Sequence, residues 1–277
     1  MRLIDAHHHL WALETPGHEW PTPADAAIYR DHGIDDYAAE TAGLPVATTV
    51  LVQSQPTDAD TDWMLARAAH APGIGAVVGW IDLACPAAPR RIAALAEQPK
   101  LRGLRPMLQS IADTDWLLDP ALAPALEAMR WHGLRLDALV QPRHLPMLER
   151  FVARWPDLPV VINHGAKPFA ARGILDPWRD DIATLAGRGT WCKLSGLRTE
   201  QAPGAPVADL QPYVDHLVGC FGERLLWGSD WPVMRLAGTD PAGWFHDCDR
   251  MTGLHGSARD RLFGGAAADF YGLEAPV

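Results

Sequence analysis

The stretch LIDAHHHLWAL, residues 3–13, runs from aliphatic residues through an aspartate into three successive histidines, His7, His8 and His9. Its reading decides between two folds. If residues 3–9 are the first strand of an alternating α/β chain, an open doubly wound sheet would follow it with a glycine-rich phosphate turn. AHHHLWAL (6–13) stands there instead. An expression tag would need a longer unbroken histidine run and a linker, and neither is present. The histidines are therefore either chemistry or coincidence, which the rest of the chain has to decide.

Working outward, short aliphatic or β-branched runs recur at TTVLVQS (48–54), AVVGWIDL (76–83), LRGLRP (101–106), LRLDALV (134–140), VVINHGA (160–166), TWCKLSG (190–196) and LLWGSDW (225–231). With residues 3–9 they make eight candidate strands. Helical spacing lies between most of them: in HLPMLERFVARW, Leu145, Leu148, Phe151, Val152 and Trp155 repeat at three and four residues and share one face. Such alternation implies βαβ units, a parallel sheet and right-handed crossovers. Eight units are what a (β/α)8 TIM barrel requires. At 277 residues the chain is close to the ~200–250 residues such barrels use as one domain. A single barrel domain over 1–277 is expected, since no linker or repeat marks a second.

Two segments distort the repeat. Residues 11–45 form a long connection after strand one, rich in Pro, Asp and aromatic residues, with only IDDYAAETAG (34–43) patterned as a short helix. RTEQAPGAPVADLQP (198–212) follows strand seven. In a barrel both lie at the catalytic rim, where long loops make walls or lids.

The composition, 48% hydrophobic and 21% charged, is that of a soluble globular protein. The formal net charge of -10 disfavours nucleic acid and anionic membranes, which need a basic face. No tract approaches the ~18 apolar residues of a membrane span, and no signal-peptide succession opens the chain. A cytoplasmic protein is expected. Cys85, Cys192, Cys220 and Cys248 form no CxxC pair and read as buried free thiols.

Barrel active sites sit at the C-terminal ends of the strands. His7 and His9, two residues apart at the end of strand one, point the same way. His164 ends strand six, Asp230 strand eight, Asp82 strand three and Arg105 strand four. A lone strand histidine is more often structural than chemical, but coincidence at four correct strand ends is improbable. His8 should point to the helix layer and serve the structure.

These residues resemble the amidohydrolase superfamily over nearly the whole chain. DAHHHLW is similar to its first-strand HxH signature. GWIDL, LRGLRP, NHGAKP, KLSG, LLWGSDWP and the terminal AAADFYGL resemble the amidohydrolase-related branch of sugar lactonases, fuconolactonase-like and rhamnonolactonase-like enzymes among them. The resemblance implies one divalent metal, commonly zinc, held by His7, His9, His164 and Asp230. A binuclear centre is not implied, because Arg105 replaces the family's strand-four lysine and strand five ends without histidine. Some lactonases of this branch are thought to work without metal, the same residues binding the lactone carbonyl. That alternative stays open.

The activity implied is hydrolysis of a sugar lactone to its acid, with Asp230 as general base and His164 and Arg105 polarising the carbonyl or stabilising the oxyanion. A decarboxylase of aromatic or unsaturated acids, built on a similar HxH and aspartate, is the alternative. Among 12 tryptophans, Trp11, Trp80 and Trp231 fall near the expected mouth, where rings stack on sugars or simply fill the core. Gln53, Asp82, Arg105 and Lys167 offer hydrogen bonds to sugar hydroxyls. The mouth lacks the positive charge a dianionic lactone would need, so a neutral aldonolactone is favoured. The spacing fixes neither the sugar nor the oligomeric state.

Overall fold

The computed structural model describes residues 3–274. Its strands are β1 (Leu3–His8), β2 (Val46–Val52), β3 (Ile74–Gly79), β4 (Leu101–Leu104), β5 (Arg135–Ala138), β6 (Val160–Ile162), β7 (Trp191–Leu194) and β8 (Leu225–Trp227). They form one parallel sheet in sequence order. The helices are α1 (Ile34–Glu40), α2 (Asp58–His70), α3 (Ala88–Ala96), α4 (Ala123–Trp131), α5 (Leu145–Arg154), α6 (Trp178–Gly187), α7 (Gln211–Phe221), α8 (Pro241–Thr252), α9 (Gly256–Asp260) and α10 (Ala266–Tyr271). This is the expected (β/α)8 barrel.

Alternation along the strands sorts two apolar layers. Leu51, Val77, Leu136, Ile162, Cys192 and Trp227 face outward and pack with the helices, α5 contributing Leu145, Leu148, Phe151 and Val152 as its spacing predicts. Ile4, Ala6, Val50, Val52, Ala76, Val78, Val161 and Leu226 face inward and join Ala266, Ala267, Phe270 and Tyr271 of α10. The terminal helix thus covers the N-terminal end of the barrel and leaves the other end free for chemistry.

The seam between β8 and β1 closes through the chain just beyond β8. Asp230 N–H donates to His7 O at 2.8 Å and His9 N–H to Trp231 O at 2.7 Å. A Cβ on Gly228 would stand 2.7 Å from His7 Cβ, so only glycine lets the two segments meet. Opposite this seam, three steps of β1 from Asp5 to His8 span two of β2 from Thr49 to Leu51. The extra residue is a β-bulge, which re-aims the side chains beyond it. Ala6 and His7 can then both face inward, while His8 turns outward.

Several strands end earlier than their apolar runs. β6 stops at Ile162 and His164 takes φ 54°; β8 stops at Trp227 and Asp230 takes φ 59°. Both residues are left-handed, a conformation non-glycine residues adopt at a cost of about 1–3 kcal/mol when the surroundings impose it. Leaving the ladder turns these side chains over the barrel mouth. Among the cysteines, all free, Cys192 and Cys248 are buried as expected, whereas Cys85 is exposed and Cys220 half-buried.

Candidate active site

β1 delivers His7 and His9, with Nε2 atoms 3.2 Å apart. The Asp230 carboxylate faces them from the β8 side and His164 from the β6 side. Asp230 Oδ1 lies 3.5 Å from His9 Nε2, 3.7 Å from His7 Nε2 and 3.9 Å from His164 Nε2. Three imidazole edges thus surround one carboxylate oxygen. All four residues are buried.

Each ring is fixed from behind. His9 Nδ1–H donates to Val52 O at 2.8 Å. His164 Nδ1 meets Ser195 Oγ at 2.9 Å. Gly196, at φ 62°, passes so close that a Cβ there would stand 2.4 Å from His164 Nδ1 and 3.1 Å from Asp230 Oδ2. His7 Nδ1 lies 3.2 Å from Lys193 Nζ. Lys193 is wholly buried and pairs with buried Asp137 at 2.7 Å, and Asp137 also accepts from Tyr271 Oη and Asn163 Nδ2.

Burial, followed by nearby Lys193 and the other histidines, holds His7 well below its ordinary value; burial likewise pushes His164 down to about 3. Both rings are neutral at pH 7. Burial opposes ionisation of Asp230, but His164 and His9 outweigh it and set the carboxyl below its ordinary range. It is therefore a carboxylate, free to accept a proton.

Arg105, just past β4, brings Nη1 to 3.4 Å from His7 Nε2. Its Nη2 donates to Gln53 O, and Gln53 Nε2 donates back to Arg105 O at 3.0 Å. Burial lowers Arg105 to about 10, with Asp137 and Asp230 opposing, so it remains a cation.

Above this floor opens a cavity of about 580 Å³. His9, Arg105, His164 and Asp230 line its base, and Trp80, Asp82 and Lys167 line its walls. Trp11, Gln53 and Trp231 do not. Trp11 is buried behind His9, donating Nε1–H to Arg30 O, and Trp231 is buried between His32 and Tyr37, donating to Glu40. Gln53 acts on Arg105 rather than on the cavity. Trp20 and Trp116 supply aromatic wall instead. Trp20 is held by the Gln55 amide, which accepts from Glu19 N and Trp20 N and donates to Trp20 O. The long β1 loop and the segment after β7, through Thr199, are both wall, as their position predicts.

The chain matches the amidohydrolase family over residues 4–273. It belongs to that family. Within it, the chain is 47% identical to an L-fucono-1,5-lactonase of Burkholderia ambifaria, across 99% of this chain and 96% of that protein. An L-fucono-1,5-lactonase of Burkholderia multivorans is 32% identical across 99% and 97%. A crystal structure of an amidohydrolase from Burkholderia multivorans with bound zinc superposes with a TM-score of 0.92 at 30% identity, covering 99% of this chain and 100% of that one.

Whether this amidohydrolase site suits a metal depends on its donors. Among the described residues, ligand atoms of His7, His9 and Asp230 lie within 4.8 Å of one another, a possible site for an ion. His164, expected as a fourth ligand, is not in that group. His9 has the arrangement a ligating histidine needs, its far nitrogen donating to a carbonyl. His7 has not. Its far nitrogen faces an ammonium, and a guanidinium stands beside its near one. Distances fit a divalent cation; the two neighbouring cations do not.

Lys193 and Asp137 are absent from the residues expected at the site, although the sequence carries a signal for both. In WCKL, Cys192 and Leu194 face the helices, so a lysine between them must point into the barrel; Leu136 and Ala138 place Asp137 likewise. Trp20 and Gln55 carry no such signal, because loop positions have no period.

Proposed function

We propose that the protein hydrolyses the ring ester of a neutral sugar lactone, L-fucono-1,5-lactone or a close stereochemical relative, to the sugar acid. The observation carrying this reading is the Asp230 carboxylate ringed by three neutral imidazole edges at the base of an aromatic-walled cavity. The lactonase relatives support the same chemistry. The walls favour a neutral substrate: Glu19 and Asp82 are acidic, and Lys167 is neutralised by Glu200 at 3.3 Å.

Water adds to the lactone carbonyl carbon as Asp230 takes its proton. The oxygen that gains charge is met by the Arg105 guanidinium and by an imidazole N–H from His164, donors fixed before substrate arrives. Collapse of the tetrahedral adduct breaks the bond to the ring oxygen, which takes the proton back from Asp230. One water and one ester thus become one acid and one alcohol. A divalent ion would supply Lewis acidity at the same oxygen, and none of these steps requires it.

The test is acid release from fucono-, rhamnono-, galactono- and arabinono-lactones, before and after chelation. Release that survives chelation supports the reading; loss on chelation with recovery on added zinc would assign carbonyl polarisation to an ion. No release from any lactone would overturn the lactonase reading and bring the decarboxylase forward.

A further inference from the structure

We propose that Glu200 is a specificity-determining residue: by pairing with Lys167 at the cavity wall it keeps the site for neutral lactones and turns away lactones that carry a carboxylate beyond the ring. This inference rests on the lactonase reading and deepens it.

The cavity is acidic. Among the described residues that line it, Glu19, Asp82 and Asp230 are acids, and Arg105 and Lys167 are cations. Arg105 is buried at the base, beside the reacting groups. Lys167 is therefore the lining cation that a charged group elsewhere on the substrate could meet. Its ammonium is already engaged: Glu200 Oε1 lies 3.3 Å from Nζ, and each side chain is 22% exposed. A partly exposed pair of this kind adds only modestly to stability. Its larger consequence is what it withholds from a substrate. A carboxylate entering the mouth would leave water to face Glu19, Asp82 and Glu200, with the wall lysine already paired. Specificity of this kind comes from a repulsive element as much as from an attractive one.

Both partners are held in place. Lys167 ends a run of left-handed residues that starts at His164 and includes Gly165 and Ala166. Such a run persists only where its surroundings impose it. Here Lys167 N–H donates to His164 O at 2.8 Å, and Trp178 Nε1–H donates to Gly165 O at 2.7 Å. The direction in which Lys167 leaves the backbone is thereby fixed. Glu200 closes the short turn Leu197–Glu200 after β7, anchored by buried Leu197. Thr199 Oγ1 donates to Gly196 O at 2.8 Å, Arg198 Nη1 to Ala205 O at 3.2 Å and Gln201 Nε2 to Pro206 O at 2.9 Å, so the loop is braced without Glu200. A site that merely lacked positive charge would need no lysine. This one has a lysine and cancels it, so one charge change at residue 200 should alter which lactones enter.

The test compares galactono-lactone with galactaro-lactone, which differ only in a terminal hydroxymethyl group or carboxylate. The wild type should favour the neutral lactone; equal use of both would overturn the inference. Glu200→Gln keeps the size and an acceptor oxygen for Lys167. In that variant the ratio of kcat/KM for the carboxylated lactone to that for the neutral one should rise about tenfold or more, mostly through KM. The rise should shrink as salt is added, be absent in Glu200→Asp, and vanish when Lys167→Met is combined with Glu200→Gln. Calorimetry with galactarate and galactonate makes the same comparison without turnover. Hydrolysis of the neutral lactone with an unchanged ratio in Glu200→Gln overturns the inference and leaves the lactonase reading standing. An equal loss on both lactones does the same, since it is the mark of an ion pair that only positions Lys167. A calorimetric ratio that rises without hydrolysis of any lactone supports charge selection by Glu200 and removes the lactonase reading alone. Neither binding nor hydrolysis in any variant overturns both.

Discussion

The two sides of the barrel mouth are built differently. From β6 round to β1, His7, His9, His164 and Asp230 are buried, sit within a few residues of a strand end, and are held by the Val52 carbonyl behind His9, by Ser195, by Lys193 and by the close pass of Gly196. From β1 round to β4, Trp20, Trp80 and Asp82 sit on loops, half-buried or exposed, and the loop itself is held by the side chain of Gln55. The first side is geometry imposed by the sheet. The second is surface imposed by side chains, which can vary without disturbing the first. Chemistry and recognition are thereby separable, and substitutions on the two sides should fail in different ways.

The largest effect is expected on the sheet side. Asp230→Asn keeps the size and the backbone of Asp230 but cannot take a proton. Turnover should fall about 10³-fold with KM and melting temperature little changed. A loss within about tenfold would remove Asp230 as the base and collapse the distinction between the two sides. Gly196→Ala comes next. Its methyl would press on the His164 ring and Asp230 Oδ2 together, and an L-residue is strained at φ 62°. A displacement near 1 Å can cost about 100-fold. The fall should appear in kcat; a fall in thermal stability alone would make Gly196 structural.

The same contrast explains what the sequence discloses. Strand order, the helix face of α5 and the four polar residues at strand ends follow from periods of 2 and 3.6, which repeat along the chain. His164 and Asp230 were legible because short apolar runs point to them, even though the strands end before the residues do. The bulge that turns His7 inward beside Ala6 was not legible, since it changes no residue type, only the register against β2. Nor could spacing tell that Trp20, not Trp11 or Trp231, reaches the cavity: Trp11 and Trp231 stand nearer to strand ends, Trp20 lies within the long loop after β1, and loop packing decides among them.

On the loop side the expected effect is smaller and of another kind. Trp20→Ala removes an aromatic wall held by Gln55 and leaves the buried floor untouched. Loss of stacking worth about 1.4 kcal/mol raises KM roughly tenfold, while kcat should stay within about twofold. Steady-state kinetics on the best lactone would read the split. A fall in kcat with KM unchanged would mean that the loop orders the reacting groups, and the two sides would then be one.

The smallest effect on catalysis should come from the histidine between the two that matter. His8 faces away from the cavity; its Nε2 meets Thr49 Oγ1 at 2.9 Å and its ring lies 4.5 Å from that of Tyr37 on α1. His8→Gln should leave turnover within about threefold, since a glutamine amide can replace the bond to Thr49 at a net cost of about 1 kcal/mol. Stability against pH is the sharper readout. Burial lowers His8 from 6.5 to about 3 in the folded chain. Between those values the unfolded chain binds a proton that the native chain refuses, so stability rises with pH and falls toward acid. The native chain should therefore melt at a constant temperature above pH 6.5 and progressively lower below it. In His8→Gln this acid slope should be shallower, because one of the refusing groups is gone. A slope equal to wild type would show that His8 is protonated in the folded chain, and a large loss of turnover would place it on the chemical side after all.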